Sequence, residues 1–319
     1  MLNETITIPS IHHGKRIDQS LALLWPQFSR SRIAEWLKTG HITINHERWS
    51  PKQKVQGLER ARLHAEAEIN TTDKPEPIAL QIIHEDQDLL IINKPVGLVV
   101  HPAAGNLSGT LLNALLHYHP ALAELPRAGI IHRLDKDTSG LLIIAKTLTA
   151  HTKLVQALQD REISREYLAV IHGQLTGGGT IKTLIDRHPK HRTKMAVVEF
   201  GGKIAITRFF VLERFANHTF IRVELETGRT HQIRVHMADR HHAVVGDQVY
   251  GGRLKIPRGA TLELIDYLKQ FRRQALHAFR LTLAHPRTKK VMTFETPMPD
   301  DMAKLLSLLQ QDREKKQML

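Results

Sequence analysis

The pattern of apolar and polar positions divides the chain into two parts. In RIDQSLALLWP and SRSRIAEWLKTG the apolar residues fall at helical spacing, which predicts two helices, the second capped by Ser29 and followed by Gly40. HITINHERW then alternates as a strand does. EAEINTTDKPEPI holds two prolines and few large apolar residues, which is typical of a linker. We therefore predict a small N-terminal domain over 1–70, a linker over 71–77 and a larger domain over 78–319.

Beyond the linker, apolar runs of strand type and helix type are intermingled. IALQIIHEDQDLLIINKP contains two such runs separated by an acidic turn, which predicts paired strands. AGIIHRLD, GLLIIAK and EYLAVIHG also have the composition of strands, whereas GTLLNALLHYH, TAHTKLVQALQDRE and the C-terminal DMAKLLSLLQQDREKKQML carry the helical period. Because strands and helices do not alternate steadily, the pattern favours an α+β fold over a doubly wound sheet.

Charge narrows the class of partner. The 319 residues include 45 Lys+Arg and 32 Asp+Glu, a formal net charge of +13, which favours polyanionic partners. Apolar runs such as LLIIA are far too short to span a membrane, so nucleic acid is favoured over lipid. MLNETITIPS has no apolar segment typical of a secretory signal, and the absence of cysteine excludes disulfides and thiolate zinc sites. Both features suit a cytoplasmic protein.

Two basic segments are candidates for contact with RNA phosphates. The N-terminal domain carries an excess of Lys and Arg around the second predicted helix, and RHPKHRTKM has the composition of a basic loop. The alternative for both is a solvated basic surface. Together with the arginine of HRLD, the candidate RNA contacts are Arg30, Arg32, Lys38, Arg133, Lys190, Arg192 and Lys194.

HRLDKDTSG, residues 132–140, has the composition of a catalytic loop. Flanking apolar runs can hold such a loop rigidly enough to position a carboxylate as nucleophile or general base. Either Asp135 or Asp137 could serve, or both together in a glycosidase, and the alternative is a turn in which an aspartate merely caps backbone amides.

Two further segments carry candidate chemistry. In LETGRTHQIRVH, Arg229 could pair with a buried carboxylate and keep it ionised, bind phosphate, or brace the following helix. In REYLAVIHG, Tyr167 could be a core residue or could stack on a nucleobase. His231 and His236 are five positions apart, which does not place two ligands on one helical face, so no metal site is predicted.

Several long motifs in order resemble the RluA-type pseudouridine synthases. They are NKPVGLVVHPA, GTLLNAL, HRLDKDTSG, REYLAVIHG, LETGRTHQIRVH and VGDQVYGG. The N-terminal RIDQSLALLWPQFSRSRIAEWLKTGHITIN is similar to an S4 RNA-binding domain, except that Asn45-His46 stands where that pattern has Asn-Gly. The two resemblances cover almost the whole chain.

The resemblance implies a mainly antiparallel catalytic sheet and isomerisation of uridine in RNA. It assigns the catalytic carboxylate to Asp135 and not Asp137, the base-stacking ring to Tyr167, and the arginine that pairs with the carboxylate to Arg229. It implies no cofactor. The expected partner is 23S rRNA in the large ribosomal subunit or its precursor, at the clustered uridines of helix 69, with the enzyme acting as a monomer. The remaining alternative is a non-catalytic RNA-binding assembly factor that retains the fold.

Overall fold

The N-terminal part is a three-stranded antiparallel sheet packed against two helices. The structure is a computed structural model that describes residues 2–25, 28, 30–65, 74–103, 105–191 and 193–317. The strand order is β1-β3-β2. The elements are β1 (Leu2–Thr7), α1 (Ile17–Leu24), α2 (Arg30–Thr39), β2 (Ile42–Ile44) and β3 (Arg60–Ala65).

The two helices predicted from apolar spacing are both present. Leu21 of α1 and Ile33 and Leu37 of α2 are buried in one hydrophobic cluster with alternate residues of β3, and every member of this cluster precedes residue 66. Gly40 follows α2 with φ 83°, the left-handed conformation expected at a helix C-terminus. Pro26 and Ser29, predicted to end the first helix and cap the second, lie outside the described residues.

The turn at Asn45-His46 keeps its tight geometry without glycine. Both residues have positive φ, 50° and 70°, as a two-residue hairpin turn of this kind requires. The flanking Ile44 and Glu47 exchange both backbone hydrogen bonds at 2.9 Å. The presence of His46 in place of glycine therefore leaves the geometry of the turn unchanged.

The rest of the described chain is built on one ten-stranded sheet. Its order is β4-β5-β6-β12-β7-β11-β10-β8-β9, with β13 paired to β12. Every pairing is antiparallel except that of β6 with β12. The strands are β4 (Gln81–Glu85), β5 (Leu89–Lys94), β6 (Ser139–Ala145), β7 (Ser164–His172), β8 (Gly179–Arg187), β9 (Met195–Val198), β10 (Lys203–Arg214), β11 (His218–Leu225), β12 (Leu276–Ala284) and β13 (Val291–Glu295).

Helices cover both faces of this sheet, which confirms the predicted α+β class. The longer ones are α3 (Leu111–Tyr118), α4 (Leu148–Gln159), α5 (Gln232–Asp239), α6 (Leu262–Gln270) and α7 (Asp300–Gln317). Strand β6 is buried along its whole length because Leu142 packs on the side of α3 and Leu141 on the side of α4. Within the described ranges, no helix has both the length and the apolarity to cross a membrane.

The prediction that AGIIHRLD forms a strand is wrong. Its start lies in a turn over Pro126–Gly129 whose two central residues have positive φ, and only an isolated bridge from Ile130 to Ile144 of β6 follows. Strand β12 pairs with β6 at only two residues, and beyond them a β6 backbone amide donates to the His132 ring at 3.1 Å, so the segment runs beside β6 without a ladder of backbone hydrogen bonds. The buried side chains of Ile130 and Leu134 still explain the apolar pattern.

Part of the predicted linker is attached to the sheet's helical layer. Residues 71–73 lie outside the described ranges. The Asn113 side chain of α3 donates to the Lys74 carbonyl at 2.7 Å, and the Glu76 amide donates to the Asn113 carbonyl at 3.0 Å. Residues 74–77 are therefore bound to the large domain.

Because several histidines are buried, we expect the fold to lose stability in acid. Burial lowers the pKa of His218 to about 3 and the pKa values of His172 and His236 to about 4, from 6.5. Between those limits the unfolded chain binds protons that the folded protein does not, so the free energy of unfolding falls as pH falls. We expect urea unfolding between about pH 7 and about pH 4.5 to show this loss.

His218→Phe provides the matched variant. No described residue forms a hydrogen bond with either ring nitrogen of His218, so phenylalanine keeps the packing and removes the titration. The slope of stability against pH should become shallower by up to about 1.4 kcal/mol per pH unit. An unchanged slope would contradict the assignment.

Candidate active site

The loop of residues 132–140 is held from several directions. The ammonium of Lys94, fully buried at the end of β5, donates to the carbonyls of Lys136 (2.9 Å), Pro95 (2.7 Å) and Leu98 (2.9 Å). On the other side of the loop, the side-chain amide of Gln274 donates to the Thr138 hydroxyl at 3.0 Å. The loop is therefore positioned by segments far from it in sequence.

The closing Thr-Ser-Gly of this loop is explained by its contacts. The Thr138 amide closes a turn onto the Asp135 carbonyl at 3.1 Å, and the Ser139 hydroxyl bonds to His277 at 2.9 Å. Gly140 has φ 117°, and a Cβ there would collide with the Ala278 carbonyl of the paired strand β12. The sequence signature thus joins a turn to a parallel strand pairing.

Asp135 accepts a hydrogen bond from a buried arginine. Its Oδ2 lies 2.9 Å from Nη1 of Arg234 on α5, and its side chain is 16% exposed. Nε and Nη2 of Arg234 bind Asp247 at 2.7 and 2.9 Å. Asp247 is itself held by the backbone amides of Val249 and Tyr250. One guanidinium therefore links the loop carboxylate to a fully buried anchor.

Arg234 and Asp247 both keep their charges at neutral pH. Burial lowers the pKa of Arg234, but the hydrogen bonds and charges of Asp247 and Asp135 raise it above the usual range. Burial raises the pKa of Asp247, and the hydrogen bond and charge of Arg234, with two backbone amides, lower it below 3.8 overall. Arginine and the anchoring aspartate are both ionised at neutral pH.

The prediction that Arg229 pairs with Asp135 is wrong. Its Nε donates to the Ile204 carbonyl at 2.9 Å, its backbone amide donates to the Gln232 side chain at 3.0 Å, and it forms no ion pair with Asp135. Arg229 lies in the loop before α5, whereas Arg234 lies inside the helix and faces the 132–138 loop. The resemblance therefore pointed to the correct segment, but the arginine five positions later is the partner.

Tyr167 and Arg229 nevertheless share one cavity with Asp135. It has a volume of about 700 Å³ and lies between the 132–138 loop, β7 and the loop before α5. Tyr167 is buried on β7, and burial raises the pKa of its phenol, Arg165 lowers it and Asp135 raises it, with a net increase above 10. The phenol is therefore protonated at neutral pH.

The cavity lining is strongly basic. Its acidic members are Asp135 and Glu226, and Glu226 is already bound by Arg161 at 3.2 Å and by Arg208 at 2.6 Å. The arginines along the wall are Arg127, Arg133, Arg161, Arg165, Arg229 and Arg234. Such a lining favours an anionic substrate.

His231 is a further residue of this site that the sequence did not single out for such a role. It has φ 57°, an uncommon conformation for a residue with a side chain, at the start of α5. Its Nδ1 lies 2.8 Å from the Tyr250 hydroxyl, which also accepts the Met195 amide at 2.9 Å. Its Nε2 lies 3.8 Å from Oδ1 of Asp135. The motif LETGRTHQIRVH contains His231 and the motif VGDQVYGG contains its partner Tyr250, so these two motifs carried the signal.

The predicted RNA contacts are unevenly available. Arg30 binds Asp18 at 2.9 Å, the Arg32 guanidinium lies 5.0 Å from the Trp36 ring centre, and the Lys194 ammonium donates to the Val249 carbonyl at 2.9 Å.

Of the other candidate contacts, the three that the structure describes are exposed. Lys38, Arg133 and Lys190 are exposed, and Arg133 also lines the cavity. Arg192 lies outside the described residues.

One cluster elsewhere has the donor types of a metal site. Ligand atoms of Asp86, Asp88 and His285 lie within 4.8 Å of one another. Asp88 already binds Arg287 at 2.6 Å, and Asp86 binds His84 at 2.9 Å. These carboxylates are engaged in a network of ion pairs and hydrogen bonds.

Comparison with known proteins gives the family. Residues 88–239, which include the cavity residues from His101 to Arg234, match the family model described as RNA pseudouridylate synthase. Ribosomal large subunit pseudouridine synthase D of Escherichia coli (strain K12) is 51% identical over 311 residues, 97% of this chain and 95% of that protein. The protein of the same name from Pseudomonas aeruginosa is 52% identical over 314 residues, 98% of each chain.

A solved structure shares the fold. Human RNA Pseudouridylate Synthase Domain Containing 4 matches with a TM-score of 0.56 and 24% identity, over 72% of this chain and 93% of that one. Half of the residues are shared with the two bacterial relatives over nearly the full length of each. The chain therefore belongs to the RNA pseudouridylate synthase family, a family of isomerases.

Proposed function

We propose that this protein converts specific uridines of 23S rRNA to pseudouridine, with Asp135 as the catalytic carboxylate. The observation that carries the proposal is that Asp135 lines a basic cavity while Arg234 binds one of its two oxygens. The printed names of both bacterial relatives specify the ribosomal large subunit, which supports that subunit or its precursor as the substrate. The clustered uridines of helix 69, implied by the sequence resemblance, are the proposed targets.

The reaction needs an ionised carboxylate and no outside reagent. The N1–C1′ bond breaks, the uracil turns, C5 bonds to C1′, the C5 proton leaves and N1 gains a proton. Asp135 either attacks C1′ or removes the C2′ proton, and both routes require its negative charge. Oδ2 is taken by Arg234, and no described residue donates a hydrogen bond to Oδ1, so Oδ1 is the oxygen that reacts.

Tyr167 and Arg229 serve the substrate in different ways. The phenol ring of Tyr167 faces the cavity and stacks on the target base, and its raised pKa keeps it protonated, so it is not itself the base that removes the C5 proton. Arg229, which is bound to the Ile204 carbonyl, contacts the RNA from the cavity wall. A uridine reaches this cavity only when it leaves its stack, so an accessible loop is the preferred RNA element.

The N-terminal part is proposed as the module that selects the RNA. Its separate sheet and hydrophobic cluster support an S4-like domain over 1–70, followed by the 71–77 linker and the synthase domain over 78–319. The exposed side chain of Lys38 is available for phosphate, and Lys190 offers a second contact from the synthase domain. We propose a cytoplasmic monomer that works without a cofactor.

The alternative is a non-catalytic assembly factor with the same fold. The buried Asp247–Arg234–Asp135 chain argues against it, because burying three charges carries a desolvation cost that RNA binding alone does not require. The two functions differ in product. Carbodiimide-adduct primer extension on rRNA from a deletion strain should lose its stops at the helix 69 uridines if the protein is the enzyme, and should keep them if it is an assembly factor.

Asp135→Asn should abolish product formation and leave RNA binding intact. Asparagine keeps the size of the side chain and removes the charge that either route requires. The measurement is restoration of the carbodiimide stops when the variant is expressed in the deletion strain, with gel-shift affinity for the RNA measured in parallel.

Asp137→Asn is the matched control for this experiment. Asp137 is two positions away in the same loop, and its carboxylate forms no hydrogen bond or ion pair with a described residue. It should restore the stops fully. Turnover by Asp135→Asn comparable with that of Asp137→Asn would overturn the assignment.

Asp247→Asn should slow the chemistry without weakening RNA binding. Asp247 is fully buried and reaches the substrate only through Arg234, so a neutral amide loosens the guanidinium that orients Asp135. We expect kcat to fall by about 100-fold, as for comparable misplacement of a reacting group, with KM unchanged. Release of tritium from RNA labelled at uridine C5 measures both constants.

Asp312→Asn separates this effect from a loss of stability. Asp312 is also a buried, paired acid, bound by Lys316 at 2.9 Å and by the Thr261 amide at 2.8 Å on α7 and α6. It should lower the melting temperature and leave kcat unchanged. If both variants lowered Tm alike and both kept full kcat, Asp247 would have only a structural role.

A further inference from the structure

Arg165 is a buried cation on the wall of the active-site cavity. It is the second residue of β7, is 8% exposed, and lies on the same face of the strand as Tyr167. Residues two apart on a strand are separated by roughly 7 Å, so the guanidinium lies beside the ring that is proposed to stack on the base.

Arg165 has no anionic partner among the described residues. It forms no ion pair and donates no hydrogen bond to any of them, and its Nε is fully buried without an acceptor. Arg234, which is similarly buried, is bound by two carboxylates. Burial lowers the pKa of Arg165, Tyr167 raises it and Arg229 lowers it, yet an arginine remains protonated in a protein.

A buried charge without a partner destabilises the folded protein, so the presence of Arg165 at this position requires an explanation. The neighbouring loop also leaves space for the Arg165 guanidinium. A Cβ at Gly228 would lie 2.7 Å from Nη1 of Arg165, although the backbone of Gly228 is in a conformation open to any residue. The loop before α5 therefore accommodates the guanidinium where an alanine would displace it.

The proposed reaction creates an anion inside this cavity. When the N1–C1′ bond breaks, its electron pair stays on the uracil and the charge spreads over N1, O2 and O4. This happens whether Asp135 forms a bond to C1′ or removes the C2′ proton. The uracil becomes neutral when C5 bonds to C1′, and the loss of the C5 proton that follows is balanced by the proton that N1 gains.

We propose that Arg165 is a catalytic residue that binds the detached uracil anion through one of its carbonyl oxygens. This rests on the proposed function and adds to it the group that stabilises the leaving base. A guanidinium fixed in a water-poor cavity stabilises such charge without reorganisation. RNA phosphates are better matched by exposed Arg133 at the same cavity.

The experiment compares Arg165→Gln with the parent enzyme on a helix 69 stem-loop RNA. Single-turnover loss of uridine should slow by about 100-fold, the effect of removing one donor to a developing oxyanion, with RNA affinity unchanged. Arg165→Lys should recover part of the rate. Gly228→Ala, which keeps the charge but moves it, should slow the reaction as well.

The same RNA with 5-fluorouridine at the target gives the decisive comparison. Fluorine stabilises the uracil anion, so cleavage of the N1–C1′ bond should depend less on Arg165. We expect the loss in Arg165→Gln, followed as first-turnover disappearance of 5-fluorouridine, to be several-fold smaller on this RNA. The melting temperature of the variant should be equal or higher, since an unpaired buried charge is removed.

Each other outcome overturns the proposal. Equal losses on the two RNAs would make Arg165 a general structural residue. A weaker RNA affinity, with a salt dependence reduced by about one ion, would make it a phosphate contact. An inactive Asp135→Asn with a fully active Arg165→Gln would reject the role of Arg165 alone, whereas an active Asp135→Asn would reject the proposed function itself.

Discussion

The contact between Asp135 and Arg234 is the interaction on which the site depends. A buried charge is unfavourable unless an opposite charge lies beside it. The Arg234 guanidinium offsets the cost of burying the Asp135 carboxylate, and the Asp247 carboxylate offsets the cost of burying the guanidinium. The arrangement alternates negative, positive and negative charge from the buried anchor to the cavity, so the Asp135 carboxylate is paired and oriented by the same bonds.

The sheet provides the rigid frame for this chain of charges. Strand β6 is buried on both faces and delivers the 132–138 loop to one side of the cavity, while β7 delivers Tyr167 and Arg165 to another. Helix α5 carries Arg234, and the loop before it closes the wall. The groups of the site thus come from several elements, and their separation is fixed by the packing of those elements and not by the flexibility of one long loop.

Much of the fold and part of the site could be predicted from sequence. Periodicity identified helices α1 to α4 and α7 and strands β2 and β4 to β7, and the long motifs led to the family. AGIIHRLD was misjudged because apolar composition shows that side chains are buried but not whether the backbone pairs with a strand. Arg229 was preferred over Arg234 because spacing along the chain does not say which arginine of one segment faces a loop 99 residues earlier. The unpaired state of Arg165 is likewise a property of its surroundings, which no local pattern records.

The parallel pairing of β6 with β12 has a consequence for synthesis of the protein. The loop that carries Asp135 is held by Gln274 and by His277, whose partner Ser139 lies 138 positions earlier. A chain still growing on the ribosome lacks those braces until nearly nine-tenths of it has been made. We therefore expect the enzyme to become active only late in its own translation, although the ribosome producing it carries RNA of the kind it is proposed to modify.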